Sequence, residues 1–393
     1  MATVPVVLHT EPYYKAFREK HLRWGATQPP VVAEHFVWTK ADVRSRHAHL
    51  LLAEDQGETD NVTFVLPVVL PRQPAPFRRV VILLHGLNES EYRKYFPWAC
   101  TLAQAGVPVI LFPITFLVNR RPRRWRGDVE TQHQLRGRQT LPGNNAATRY
   151  NVILSERLEN RPERFFVGGR QSYFDLLDLT ASVHSGTFAI NRGEDGALTL
   201  RYPFSEGARV DFLGFSIGGY LTLGLLLEAS ENPTLADSRG IIFAAAAPFI
   251  HPDQTVIAHP LSPFILDGRA TERLRAFYRS PEADALMDNP EGRWCRAVFH
   301  AERPALDMAL PRIRSRLLTI GNAADTVVPA AGMEATLGRL DYLLELGAHE
   351  YPFSLADVWQ PGVTRRVAKS YNVHPAYEAG FRRFMQVVIE FLT

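Results

Sequence analysis

The chain has 393 residues, 46% of them hydrophobic, which supports a large folded core and excludes a disordered polymer. Its 44 lysines and arginines against 41 aspartates and glutamates leave a formal charge of +3, so no global field directs it to nucleic acid or to an anionic membrane. Two distant cysteines, Cys100 and Cys295, offer neither a disulfide framework nor a CxxC pair, which suits a reducing compartment.

The opening stretch, MATVPVVLHTEPYYKAFREKHLRWG, lacks a basic segment followed by a sustained apolar one. No later segment runs about 18 apolar residues without charge, so the expectation is a cytoplasmic protein with no membrane span. Residues 1 to about 60 mix helix and strand cues without a sharp linker, and are read as an N-terminal extension. Within them the spacing of His47 and His49 places both imidazoles on one face of a strand, but two ligands without a third make no metal site, and no metal is expected.

From residue 60 onward, short Val-rich runs alternate with helical ones. Strands are expected at 61–71 and 78–86, then a helix ending at Gly106, then a strand at 107–114. After a long gap come a strand at 209–215 with a helix behind it, and strands at 238–249 and 316–321. A helix over AAGMEATLGRL, a strand over DYLLELG and an amphipathic helix over 375–392 close the chain. Strands separated by helices imply an α/β fold, a mostly parallel central sheet with helices on both faces. The stretches 115–208 and 250–315 exceed what one crossover requires and are read as insertions forming a cap over one end of the sheet, within a single domain spanning 1–393.

The chemistry centres on Gly214-Phe215-Ser216-Ile217-Gly218, a G-x-S-x-G between a buried strand and a helix. A serine on so sharp a turn needs small neighbours, and the helix start behind it brings unpaired N–H groups and a positive dipole end where an oxyanion would form. The alternative for Ser216 is a simple helix cap. A serine hydroxyl is a poor nucleophile until a base takes its proton, so a histidine and an orienting carboxylate must follow. Asp325, in the loop after a late strand, is the candidate acid, its alternative being a turn aspartate. For the base, His349 directly after the last strand is preferred to His374, the runner-up just before the closing helix.

An early strand ending in His85-Gly86 aims the N–H of Leu87 toward the serine, and Ile217 supplies a second oxyanion donor. His85 itself is read as a buried histidine that bonds the loop, with Asn88 and Glu89 placed to shape the pocket. Arg120, Arg121, Arg123, Arg124 and Arg126 cluster around Trp125 after a strand whose C-terminal end belongs on the catalytic side. Bidentate contacts from such a run would select acidic substrates, and Arg121, Arg124 and Asn88 are the candidate substrate-binding residues. Against that stands the commoner fate of a charged run, a solvated loop. No phosphate-cradling or dinucleotide-binding glycine motif is present, so no cofactor is expected.

The His85-Gly86 loop, the Gly-Phe-Ser-Ile-Gly elbow, Asp325 after a late strand and a histidine last together resemble the α/β-hydrolase superfamily over roughly residues 60–393. The long insertion before the nucleophile strand is similar to that of bacterial hydrolase-like members. The resemblance implies an α/β-hydrolase fold with Ser216 as nucleophile, Asp325 as acid, His349 as base, and Leu87 and Ile217 as oxyanion donors. The oxyanion loop reads His-Gly-Leu-Asn rather than the Gly-Gly-Gly of some lipases and esterases, which weighs against bulky tertiary-alcohol esters. The expected function is hydrolysis of a small-molecule carboxylic ester through an acyl-enzyme, with no nucleic-acid partner. The alternatives are a peptidase or amidase with the same three residues, and a binding protein that keeps the fold around an inert serine.

Overall fold

The computed structural model describes residues 5–22, 25, 30–126, 128–142, 144, 147–191, 201–228, 232–245, 265–299, 303–349, 351–353 and 372–393. Residues 246–249 of the strand expected at 238–249, and 192–200 and 250–264 of the two expected insertions, lie outside the described residues, as does the Arg126 side chain.

Nine strands form one sheet in the order β1-β2-β3-β5-β4-β6-β7-β8-β9. They are β1 (Val31–Val32), β2 (Phe36–Arg44), β3 (Thr63–Pro71), β4 (Phe77–Leu84), β5 (Val109–Phe112), β6 (Phe204–Phe215), β7 (Gly240–Phe243), β8 (Leu317–Asn322) and β9 (Tyr342–Leu344). The pairs from β5 through β4, β6, β7 and β8 to β9 are parallel, while β1, β2 and β3 join antiparallel. Strand β2 pairs with β3 along its whole length, from Phe36 opposite Pro71 to Arg44 opposite Thr63, which carries N-terminal residues into the same sheet.

The described helices are α1 (Glu11–His21), α2 (Thr59–Val62), α3 (Phe96–Gln104), α4 (Asp128–Gln139), α5 (Val152–Asn160), α6 (Glu163–His184) and α7 (Ile217–Glu228) in the first part of the chain. They continue with α8 (Gly268–Phe277), α9 (Pro281–Leu286), α10 (Pro290–Phe299), α11 (Arg303–Ile313), α12 (Ala330–Leu337) and α13 (Glu378–Leu392). None among the described residues is long and apolar enough to cross a membrane.

Both faces of the sheet are covered, and the alternation of side chains along β6 and β7 shows how. Phe215 and Phe243 point to one face, where they meet Trp98 of α3, and Phe243 also meets Phe384 of α13. Gly214 and Ile242 point to the other, against α7. Being buried all round, α7 is apolar all round: Leu221 and Leu225 enter the core of the sheet, whereas Leu223, Leu226 and Leu227 enter a second core with Leu274 of α8, Leu306 of α11 and Met333 of α12.

Three elements depart from the sequence reading. Strand β6 begins at Phe204, so the stretch from 115 is strandless only to 203. Helix α6 belongs to the sheet covering rather than to a cap, with Leu176 and Val183 buried in the main core. His47 and His49 are not on a strand: β2 stops at Arg44, the Ser45 hydroxyl accepts the His47 N–H at 3.1 Å, and Ala48–Leu50 form a 3-10 turn. There His47 bonds Asp178 at 3.0 Å and His49 bonds the Arg46 carbonyl at 3.1 Å.

A buried ion pair ties the stretch after β5 to the stretch after β7. Arg138 on α4 donates Nε and Nη2 to the two oxygens of Asp267 at 2.6 and 2.7 Å, and reaches Glu156 and Glu159 of α5 as well. Asp267 in turn caps α8 by accepting the Ala270 N–H at 3.0 Å, and both partners are buried. Removing the Asp267 charge weakens two charge-assisted hydrogen bonds and leaves Arg138 with Glu156 and Glu159 of α5 alone. Asp267→Asn should therefore lower unfolding stability by about 1.5–3 kcal/mol in urea titration, and an unchanged midpoint would show that this pair does not hold the two stretches together.

Candidate active site

Ser216 stands between β6 and α7 with φ 54°, left-handed backbone that a serine adopts only under constraint. The constraint is the approach of α7 to the strands. A methyl group on Gly214 would lie 2.3 Å from the Gly218 carbonyl oxygen, and one on Gly218 would lie 2.4 Å from the Leu84 carbonyl oxygen. Both positions must be glycine for strand and helix to meet here. The Ser216 N–H is held by the Phe243 carbonyl at 3.0 Å, and its carbonyl accepts the Gly219 N–H at 2.9 Å, so the hydroxyl is displayed at the C-terminal edge of the sheet.

His349 reaches that hydroxyl. Its Nε2 lies 3.1 Å from Ser216 Oγ, and its Nδ1 lies 2.6 Å from Asp325 Oδ2. With Nδ1–H donating to the carboxylate, Nε2 is left to accept the serine proton. The other Asp325 oxygen accepts the backbone N–H groups of Val327 and Val328 at 2.8 and 2.7 Å, which fix the carboxylate in the loop after β8. The imidazole is buried and lies over the Phe215 ring, centroids 4.9 Å apart. The His349 loop is held by the Asn322 side chain at the end of β8, which accepts the Leu346 N–H at 3.2 Å and donates to the Gly347 carbonyl at 2.7 Å. His374 does not share in this: its Nδ1 accepts the Ala376 N–H at 3.1 Å and caps a short turn before α13.

The loop after β4 is built around His85. This histidine is fully buried, donates Nδ1–H to the Gly86 carbonyl at 2.8 Å and accepts the Ile114 N–H at Nε2 at 2.9 Å. It thereby ties the loop that carries Leu87 to the loop after β5. Burial pushes its pKa down to about 3, with Lys94 and Arg120 adding to the fall against the opposing Gly86 bond. Gly86 donates its N–H to the Tyr95 hydroxyl at 2.9 Å, and Tyr95 donates to Glu89 at 3.2 Å.

The loop after β5 carries two more left-handed residues, Phe116 (φ 63°) and Val118 (φ 49°). A fully buried Arg120 underlies it: Nη2 pairs with Asp175 at 2.9 Å, Nη1 donates to the Pro113 carbonyl at 3.3 Å, Nε reaches Asn61, and the guanidinium lies 4.1 Å from the centre of the Phe64 ring. Arg120 is therefore structural.

Two pockets adjoin this constellation among the described residues. A mainly apolar pocket is lined by Leu87, Ile114, Phe116, Phe165, Ile217 and Trp294, among others. A more polar pocket is lined by Leu87, Asn88, Arg121, Arg149, Phe215 and His349, among others. Of the expected substrate-binding residues, Asn88 lines the polar pocket and donates to the Tyr150 carbonyl at 3.0 Å, and Arg121 lines it too. Arg124 does not: the 3-10 turn Arg123–Arg126 carries its side chain outward, where it pairs with Glu58 and is 58% exposed. Lys94, Arg149 and Asn322 went unnoticed in the sequence, since only tertiary folding brings them here.

A mostly parallel sheet covered on both faces, a serine on a strained strand-to-helix turn, and serine, aspartate and histidine following in that order along the chain define an α/β-hydrolase fold. A sequence model described as a family of unknown function (DUF6051) matches residues 38–386. The chain belongs to that family. The match takes in β2 through most of α13, and with them Ser216, Asp325 and His349. No curated protein sequence matches this DUF6051 member. Among solved structures it is similar to brefeldin A esterase, a bacterial homologue of human hormone sensitive lipase, at 13% identity over 99% of this chain and 88% of that one, TM-score 0.44. It is also similar to a thermostable esterase from Pseudomonas putida ECU1011 (12% identity, 86% and 79% coverage, TM-score 0.40) and to a fungal esterase from Rhizomucor miehei (14%, 98% and 88%, 0.44).

The His85 bridge has a pH signature. Its folded pKa is depressed below the unfolded value near 6.5, so between pH 6.5 and about 3 the unfolded chain binds a proton that the folded chain refuses. This contribution to stability is complete above pH 6.5 and declines as pH falls through that window, by about 1.4 kcal/mol per unit. His85→Gln should flatten the pH dependence of the unfolding free energy between pH 6.5 and 4 by close to one proton. Parallel curves for the two proteins would exclude a neutral bridge.

Proposed function

We propose that this protein is a serine hydrolase that cleaves a carboxylic ester through an acyl-enzyme. The observation that carries the reading is the continuous hydrogen-bonded path from Ser216 Oγ through His349 to Asp325, with links of 3.1 and 2.6 Å.

In this reading Ser216 Oγ attacks the ester carbonyl carbon while His349 Nε2 takes the serine proton, and Asp325 holds the imidazolium in the required orientation. The carbonyl oxygen becomes an oxyanion facing the N–H groups of Ile217 and Leu87. Ile217 is the first residue of α7, so its N–H has no partner within the helix and stands at the positive end of the helix dipole. As the tetrahedral species collapses, the bond to the alcohol oxygen breaks and Nε2 returns its proton to that oxygen. Water then attacks the acyl carbon with Nε2 as base, the acid departs, and Ser216 regains its proton.

Three features support this assignment over an inert serine pocket. The left-handed backbone at Ser216 is costly, about 1–3 kcal/mol for a residue of this kind, and a helix cap does not require it. Asp325 is held by two N–H groups of its own loop with one oxygen left for His349. The residues on either side of the serine also line two pockets, Phe215 the polar one and Ile217 the apolar one.

A fluorophosphonate probe should modify the native protein at one residue, Ser216, with no labelling of Ser216→Ala by mass spectrometry. Against p-nitrophenyl esters, Ser216→Ala and His349→Ala should each lose on the order of 10⁴ or more in kcat. Asp325→Asn should fall by a similar factor because the asparagine favours the wrong imidazole tautomer. His374→Ala should keep its turnover. An unlabelled native protein, or an active His349→Ala, would overturn the assignment, and faster cleavage of matched amides than of esters would convert it to an amidase.

A further inference from the structure

The reach between Asp325 and His349 is set from outside the pair. The two residues stand on separate loops, after β8 and after β9, and the 2.6 Å bond between them closes only if those loops keep their spacing. Asp325 is fixed on its own side by the N–H groups of Val327 and Val328. The imidazole has no such local hold: its hydrogen bonds go to Asp325 and Ser216, the two groups it must serve. The position of His349 is therefore inherited from the backbone that carries it.

That backbone is held on both sides of the histidine. Downstream, the Tyr351 N–H returns to the Ala348 carbonyl at 2.9 Å, and Phe353 is buried among the rings of Trp98, Phe243 and Phe384. Upstream, β9 is an edge strand of three residues bonded only to β8, and one side chain catches the loop that leaves it. Asn322, the last residue of β8 and 1% exposed, accepts the Leu346 N–H at 3.2 Å and donates to the Gly347 carbonyl at 2.7 Å, three and two residues before His349. The same Oδ1 accepts the Ala324 N–H at 3.2 Å, one residue before Asp325. A single amide thus grips the acid's loop and the base's loop together.

The grip needs an amide. A carboxylate at 322 has acceptors alone, so it would keep the Ala324 and Leu346 N–H groups and turn an oxygen against the Gly347 carbonyl. An alanine would take the partner from all three groups. Asn322 lines neither pocket beside the serine, so neither change alters a surface that meets substrate.

We propose that Asn322 is a positioning residue, whose side-chain amide sets the spacing of the loops that carry Asp325 and His349, a role that rests on the reading of those two as acid and base. Chemistry of this kind tolerates little displacement: a shift of about 1 Å can cost on the order of 10²-fold in rate. Loss of the amide leaves Ser216, its elbow and both pockets in place and lets the His349 loop drift from Asp325.

Asn322→Ala and Asn322→Asp should each lower kcat against p-nitrophenyl esters by about 10²-fold with KM little changed, on protein whose folded fraction is set by near-ultraviolet circular dichroism. A second readout involves no turnover. The Nδ1–H proton of His349, deshielded by its short bond to a carboxylate, should give a low-field nuclear magnetic resonance signal that is missing from His349→Ala. That signal should broaden or vanish in both Asn322 variants as the proton exchanges with water, and should persist in His374→Ala. A merely structural asparagine would lower the melting temperature while the folded variants kept native kcat and the signal. That result would overturn the proposal and leave the hydrolase reading intact. If native protein cleaves no ester, yet its signal is present and is lost from the variants, the clamp stands and the hydrolase reading falls. Should Asn322→Ala not fold, Asn322→Asp, which keeps both N–H acceptors, decides by the same two readouts.

Discussion

The site depends on how closely α7 approaches β4 and β6. At Gly214 and Gly218 the backbones come within a distance that excludes even a methyl group, and this contact fixes both the left-handed turn at Ser216 and the direction in which α7 departs. The unfavourable serine conformation persists because everything around it is overdetermined: α7 is packed into two cores at once, and the Ser216 N–H is bonded across to β7. A serine with that backbone could not relax into an ordinary helix cap without withdrawing the leucines of α7 from one core or the other.

Two buried histidines serve the region in opposite ways. His85 is enclosed by backbone partners on both ring nitrogens and is suited to remain neutral, a fixed brace between the loops after β4 and β5. His349 has a carboxylate on one nitrogen and a hydroxyl on the other, the pattern that lets a proton arrive and leave. The same side chain is thus made a brace at one position and a candidate proton carrier at the other by its neighbours, and the two are joined through Phe215 and Gly86, which lie close together.

What the sequence disclosed and what it concealed divide by range. The elbow was legible because its signal is local: five residues between an apolar strand and an apolar helix. The parallel sheet was legible because β4 through β8 are apolar runs buried on both faces. The choice between His349 and His374 was not, since it turns on the Asn322 clamp, a partner more than twenty residues away. Arg121 and Arg124 are three positions apart and looked equivalent, yet one 3-10 turn sends the first to the pocket and the second to Glu58. His47 and His49 carried a strand-like spacing, but the Ser45 hydroxyl offered the backbone a competing partner and turned it out of β2. Arg149 gave no local sign at all, because its relation to His349 exists only after the stretch behind β5 has folded back across the sheet edge.

Strand β9 is three residues long, pairs on one side only and is incompletely shielded from solvent. The imidazole follows five residues after its last residue, on a loop held by the Asn322 amide and by its own turn, Gly347 N–H to the Pro352 carbonyl at 2.7 Å, whereas the serine is anchored in the middle of the sheet. Edge segments of this kind open at a fraction of the free energy needed to melt a whole domain. Partial fraying there would separate His349 from Ser216 while leaving the cores intact, so the proposed hydrolase would be disarmed well before it is denatured.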